Sequence, residues 1–89
     1  MKTKKGFNLR PLGNEFILVA EGADVYQVGR MISMNESAAL IWQEVEDKDF
    51  DLGLVVDFLV DNYGISHESA EKDAEALLRS WKNAGVIEE

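Results

Sequence analysis

The 89-residue sequence is long enough for one domain with a modest hydrophobic core and too short for two. It has no cysteine, which excludes a disulfide framework, a thiolate metal site and a thiol nucleophile. The formal net charge of −8, from 9 basic and 17 acidic residues, disfavours nucleic acid as a partner, because binding to phosphates depends mainly on cationic side chains.

The first five residues are basic and are predicted to be a frayed terminus. Residues 6–10 do not supply the apolar stretch of a secretory signal peptide. No apolar run approaches the roughly 20 residues needed to cross a bilayer. We therefore expect a cytoplasmic protein with no membrane contact, forming a single domain over residues 1–89.

The first strand is marked by apolar residues at positions 7, 9 and 12, and Pro11 confines it to the edge of a sheet or to its own end. Gly13-Asn14 then predicts a tight hairpin turn. The second strand, residues 16–20, is apolar on both faces and is therefore predicted to be central.

A third strand is predicted at residues 30–34, after an irregular connection that covers residues 21–29. At Asn35 the apolar period changes from that of a strand to that of a helix. Asn35 is a favoured N-cap residue, so the strand is predicted to run directly into a helix over about residues 36–45.

Two further helices follow an acidic loop. The second is predicted to begin after Asp51 and to end at Gly64. The third is predicted to begin after Ser66 and to end at Gly85, and residues 86–87 then fold back onto the core. The order β-β-β-α-α-α predicts an α+β domain in which a three-stranded antiparallel sheet precedes three helices. The last two helices form a helix-turn-helix and the hairpin forms its wing, which is a winged helix-turn-helix.

No catalytic or metal-binding constellation is visible in the sequence. His67 is the only histidine, and it falls in the first turn of a helix, where a surface position is expected. The acidic residues at 44–51 do not have the spacing of a calcium-binding loop. We therefore expect no enzyme activity, no metal and no cofactor.

A helix-turn-helix also raises the hypothesis of DNA binding. The third helix carries three basic and four acidic residues, which leaves it with a charge of −1: Lys72, Arg79 and Lys82 against Glu68, Glu71, Asp73 and Glu75. A negative helix in a negative domain makes DNA an unfavourable ligand.

A peptide is a better partner. If the second strand is central, the third strand leaves one row of backbone N–H and C=O groups unpaired, and such an edge is a template for an added strand. The same edge could pair with a second copy of the chain, so a homodimer is an open alternative.

Four segments resemble the PqqD family. Residues 32–42 (ISMNESAALIW) are similar to its signature of an apolar strand, an Asn-Glu-Thr/Ser corner and an apolar pair with tryptophan. Residues 59–65 (LVDNYGI), 72–78 (KDAEALL) and 82–87 (KNAGVI) resemble three later segments of the family in the same order. The longer connection at residues 21–29 resembles the broader branch of the family rather than its compact quinone-cofactor members.

The resemblance implies a recognition element for ribosomally made, modified peptides. Such domains are not catalytic; they bind the leader of a precursor peptide as a strand along the third strand and against the third helix, and deliver it to a modifying enzyme, often a radical S-adenosylmethionine protein. Carried over by position, the implied binding residues are Arg30, Met31, Ile32, Ser33 and Met34 on the strand, and Asp73, Leu77, Leu78 and Trp81 on the helix. The alternative is a winged-helix interaction module in a regulatory or assembly complex that binds no precursor peptide.

Overall fold

A computed structural model describes residues 1–20 and 32–88 of the chain. The strands are β1 (Lys2–Thr3), β2 (Phe7–Leu12), β3 (Glu15–Ala20), β4 (Ile32–Met34) and β5 (Ile87–Glu88), and the helices are α1 (Glu36–Val45), α2 (Leu52–Tyr63) and α3 (His67–Ala84). The predicted connection at residues 21–29, and the predicted strand residues Arg30 and Met31, lie outside the described residues.

The main sheet has three antiparallel strands in the order β2-β3-β4, so the prediction that the second strand is central is confirmed. The hairpin turn consists of Gly13 and Asn14, and Gly13 adopts a φ of 63°. A positive φ at the first turn residue matches the right-handed twist of the flanking strands at no steric cost to a glycine. The fold class predicted from the sequence is thus confirmed.

The three helices begin at the side-chain caps that the sequence predicts. The Asn35, Asp51 and Ser66 side chains each accept a hydrogen bond from the backbone N–H three residues further on, at 2.9, 2.9 and 3.1 Å. The last two helices end at Gly64 and Gly85, both in the left-handed conformation. Side-chain caps at the first residues and left-handed glycines at the last ones therefore set these helix boundaries.

The N-terminus differs from its prediction as a frayed segment. Residues 2–3 pair with residues 87–88 in a second, two-stranded antiparallel sheet. The Phe50 N–H donates to the Met1 carbonyl oxygen at 2.8 Å, and the Lys4 N–H donates to that of Val86 at the same distance. The Lys4 bond joins the two ends of the described chain, the Phe50 bond ties Met1 to the segment before α2, and together they hold the N-terminal segment against the core.

The core is formed where the helices meet the sheet. The Trp42 ring of α1 and the Trp81 ring of α3 pack edge to face, with centroids 5.3 Å apart and an angle of 84° between their planes. Edge-to-face packing stabilises an aromatic pair by more than the burial of its surface area alone. Other large, fully buried side chains come from every layer: Leu18, Ile41, Val45, Val55 and Val86.

Candidate functional site

The direction of the backbone groups along the sheet follows from the pairing register. In a hairpin with a two-residue turn, the pair beside the turn, here Leu12 with Glu15, is hydrogen-bonded, and non-bonded and bonded pairs then alternate. Pro11 opposite Phe16 is therefore a non-bonded pair, which suits a residue with no N–H to donate. The N–H and C=O of Phe16 must then point toward β4, where this residue pairs with Met34.

The same alternation settles which groups of β4 face outward. Met34 and Ile32 are the residues of β4 that exchange hydrogen bonds with β3, and Ser33 lies between them. The backbone N–H and C=O of Ser33 consequently point away from β3. No strand in the described part of the chain pairs with β4 on that side, so one donor and one acceptor face the open edge.

A groove of about 470 Å³ lies between β4 and α3, beside this edge. Its buried lining residues are apolar and come from β4 and all three helices: Met34, Ala38, Ile41, Leu59 and Trp81. The half-buried side chains of Ile32 and Leu77 also line it. The groove can therefore bury apolar side chains of a ligand next to a free hydrogen-bonding strand.

The wall that α3 contributes is one face of a helix. Asp73, Ala76, Leu77, Ser80 and Trp81 follow the i, i+3, i+4, i+7, i+8 pattern, which places them on the same side of α3. The two small side chains, at positions 76 and 80, are one turn apart and exposed. They leave space above the apolar floor.

The Asn35 and Ser37 side chains at the β4–α1 end of the groove are engaged in hydrogen bonds within the protein. The Asn35 Oδ1 atom accepts hydrogen bonds from the Ala38 N–H at 2.9 Å and from the Ser37 hydroxyl at 3.0 Å. These bonds fix the corner between the edge strand and the first helix. Of the groove-lining residues that the structure describes, Asp73 is the only ionisable one.

The structure brings together six of the residues implied by the resemblance: Ile32, Ser33, Met34, Asp73, Leu77 and Trp81 all line the groove. Leu78 does not, because it lies one helical step past Leu77 and is buried beside a separate depression lined by Met1, Leu52 and Ile87. The sequence reasoning missed Ala76 and Ser80, although the helical spacing from Asp73 pointed to both.

Other site types find little support in the described residues. Within residues 1–20 and 32–88, no group of three or more histidine, cysteine or carboxylate side chains is placed to hold a metal ion. His67 is exposed, as expected, and its Nδ1 atom lies 3.8 Å from the Glu71 Oε2 atom. None of the helices in these ranges is long and apolar enough to cross a bilayer.

Comparisons with known proteins agree with the resemblance. The model of the family described as "Coenzyme PQQ synthesis protein D (PqqD)" matches residues 7–87. A solved structure described as "TbiB1 in Complex with the TbiA(beta) Leader Peptide" has the same fold: the TM-score is 0.75 and the sequence identity 20%, over 99% of this chain and 95% of that one. Comparison with curated proteins finds no match. Because the family model covers most of the sequence, the chain belongs to the PqqD family.

Proposed function

We propose that this domain binds the leader of a ribosomally synthesised precursor peptide as an added strand on β4 and has no catalytic activity of its own. The observation that carries the proposal is the outward-facing N–H and C=O of Ser33 beside the apolar groove. Membership of the PqqD family supports it, as does the shared fold of TbiB1, a protein solved with a leader peptide.

The backbone of β4 would supply orientation and part of the affinity. A strand added along this edge exchanges two hydrogen bonds with Ser33, each contributing about 0.5–1.5 kcal/mol net. All three residues of β4 line the groove, but Ser33 is exposed, whereas Ile32 is half-buried and Met34 is buried. Since side chains on one face of a sheet recur every second residue, alternate side chains of the peptide would enter the groove. The expected ligand therefore has apolar residues at i and i+2.

The second part of the proposal is that the domain presents the bound peptide to a modifying enzyme, such as a radical S-adenosylmethionine protein. Binding on the β4 edge would hold only the leader, and leave the remainder of a precursor free to reach another protein. A pull-down of the enzyme encoded beside this gene, with and without the precursor, tests the adaptor role. Enzyme retained equally by domain and by a blank resin would contradict it.

The direct test of leader binding uses a short precursor encoded near this gene. Its leader is added to the isotopically labelled domain, and backbone amide resonances are followed. We expect shifts concentrated in residues 31–34 and along α3, and no shifts with a scrambled peptide of the same composition. Binding that leaves those amides unmoved would contradict the proposed docking mode.

A further inference from the structure

We propose that the groove selects peptides that present a lysine or arginine side chain beside their apolar anchors, and that the Asp73 carboxylate receives this cation. The inference rests on the proposed function and specifies its substrate class: a peptide that is both apolar and basic. It requires that Asp73 discriminate between peptides by charge, as well as lining the wall of the groove.

The first observation is the position and availability of the carboxylate. Asp73 is exposed and lies at the rim of the groove, and no hydrogen bond or ion pair joins it to another residue in the described ranges. None of the described residues that line the groove is cationic, so a bound peptide can supply the counter-charge. The Asn35 and Ser37 side chains are bonded to each other and compete little for it.

The second observation is the position of two bases of α3. Arg79 and Lys82 line the depression on the other side of the helix, with Glu75 and Leu78. Among the described residues, the groove side of α3 carries Asp73 and no base. With a formal net charge of −8 for the whole chain, the electrostatic field favours the approach of a cationic peptide and opposes an acidic one.

The third observation is the shape of the wall. Ala76 and Ser80 are small, while Leu77 between them is half-buried over the floor. Lysine and arginine have long aliphatic stems that can lie on apolar surface while the charged end stays near water. The apolar wall beside Asp73 therefore provides contact for the stem as well as a partner for the charge.

The experiment uses a displayed library of random 12-residue peptides, selected in parallel on the wild-type domain and on Asp73→Asn and Asp73→Lys. The matched controls are Asp57→Asn and Asp57→Lys, which change an exposed aspartate of α2 outside the groove. We expect the wild type and both controls to enrich a basic residue at one fixed position next to alternating apolar residues. The enrichment of a basic residue at that position should disappear with Asp73→Asn. With Asp73→Lys, we expect Asp or Glu to be enriched there instead.

The strongest peptide from the wild-type selection is then synthesised, with a second version in which glutamine replaces its basic residue. We expect the replacement to weaken binding about twofold to fivefold on the wild type and not at all on Asp73→Asn, as for a charge pair at an exposed site. On the wild-type domain, the difference in affinity between the two peptides should decrease as the salt concentration rises.

Two results would overturn the inference, and they separate it from the proposed function. Selected peptides that share the apolar alternation but no basic position would remove the role of Asp73 and leave strand addition standing. Failure to select any peptide, or binding that shifts amides away from β4 and α3, would remove both.

Discussion

The two outer strands of the main sheet make an informative comparison. β2 and β4 are both paired with β3 on one side and with no described strand on the other. On β2 the outward positions are those of Phe7, Leu9 and Pro11, and the proline interrupts the row because it has no N–H. On β4 the outward position is Ser33, which has both groups and lies beside the groove.

The difference shows that an open edge is not by itself a recognition surface. β2 ends in three exposed residues, and Leu12 is 59% exposed at the tip of the hairpin. β4 is short and continues directly into a capped helix, so its orientation is fixed by Asn35. In the proposed binding mode, a peptide on β4 would gain backbone hydrogen bonds and apolar burial together. A peptide on β2 would find an incomplete row of donors.

The largest effect is expected from Ser33→Pro. The substitution removes the outward N–H and places a ring where the peptide strand would pass, while both hydrogen-bonded pairs with β3 remain. We expect peptide affinity to fall by about a hundredfold, since the unpaired peptide carbonyl alone costs about 1–3 kcal/mol. Calorimetric titration measures it.

The matched control for this change is Ser33→Ala, which removes the hydroxyl and keeps the N–H. It should bind within about twofold of the wild type. Circular dichroism establishes that both variants are folded. Wild-type affinity in a folded Ser33→Pro variant would show that the peptide does not pair with this edge.

A smaller effect is expected from filling the groove without touching the edge. Ala76→Phe adds a ring at an exposed position of the wall, and we expect binding about tenfold weaker, which corresponds to about 1.4 kcal/mol. Glu71→Phe adds the same ring to α3 outside the groove and should leave the dissociation constant unchanged. Equal losses in the two variants would indicate a general effect on α3.

The N-cap at the strand–helix corner gives the next effect. Asn35→Ala removes the acceptor of the Ala38 N–H and should cost about 1 kcal/mol of folding free energy, measured by denaturant unfolding. Ser66→Ala removes the equivalent cap of α3 and should cost a similar amount. Because only Asn35 orients β4, we expect peptide binding to weaken a fewfold in that variant alone. If both variants bind the peptide equally well, the Asn35 cap does not orient the β4 edge.

The smallest effect is expected on the other edge. Pro11→Ala restores an outward N–H to β2, and we expect peptide affinity to stay within about twofold of the wild type, since β2 lacks the groove. Sedimentation tests whether the repaired edge promotes self-association instead. A clear gain in peptide affinity would mean that β2 also accepts a strand.

The sequence predicted the helices and the central strand well because their signals are local. Asn35, Asp51 and Ser66 act through hydrogen bonds to residues three positions away, and such contacts can be inferred from spacing. The pairing of β1 with β5 was missed because its partners are two residues long and lie at opposite ends of the described chain. Nothing in either pair of residues specifies the other.

The candidate site was predicted in part for a similar reason. The edge and most of the α3 wall follow from strand order and helical spacing, which places Asp73, Leu77 and Trp81 on one side. Leu78 was implied as part of the wall, and the structure places it one helical step away beside the other depression, since an apolar residue at that position suits either the groove or the core. Leu59 of α2 reaches the floor through packing between helices, which sequence spacing does not define.

Amide hydrogen exchange of the two outer strands tests strand addition on β4 most directly. The Ser33 and Leu9 amides both point outward from the sheet by the pairing register, so each reports on its own edge. With the leader at about 100 times its dissociation constant, we expect exchange at Ser33 to slow by about a hundredfold and exchange at Leu9 to stay unchanged. A bound peptide that leaves the Ser33 amide unprotected, or that protects Leu9 instead, would contradict the account.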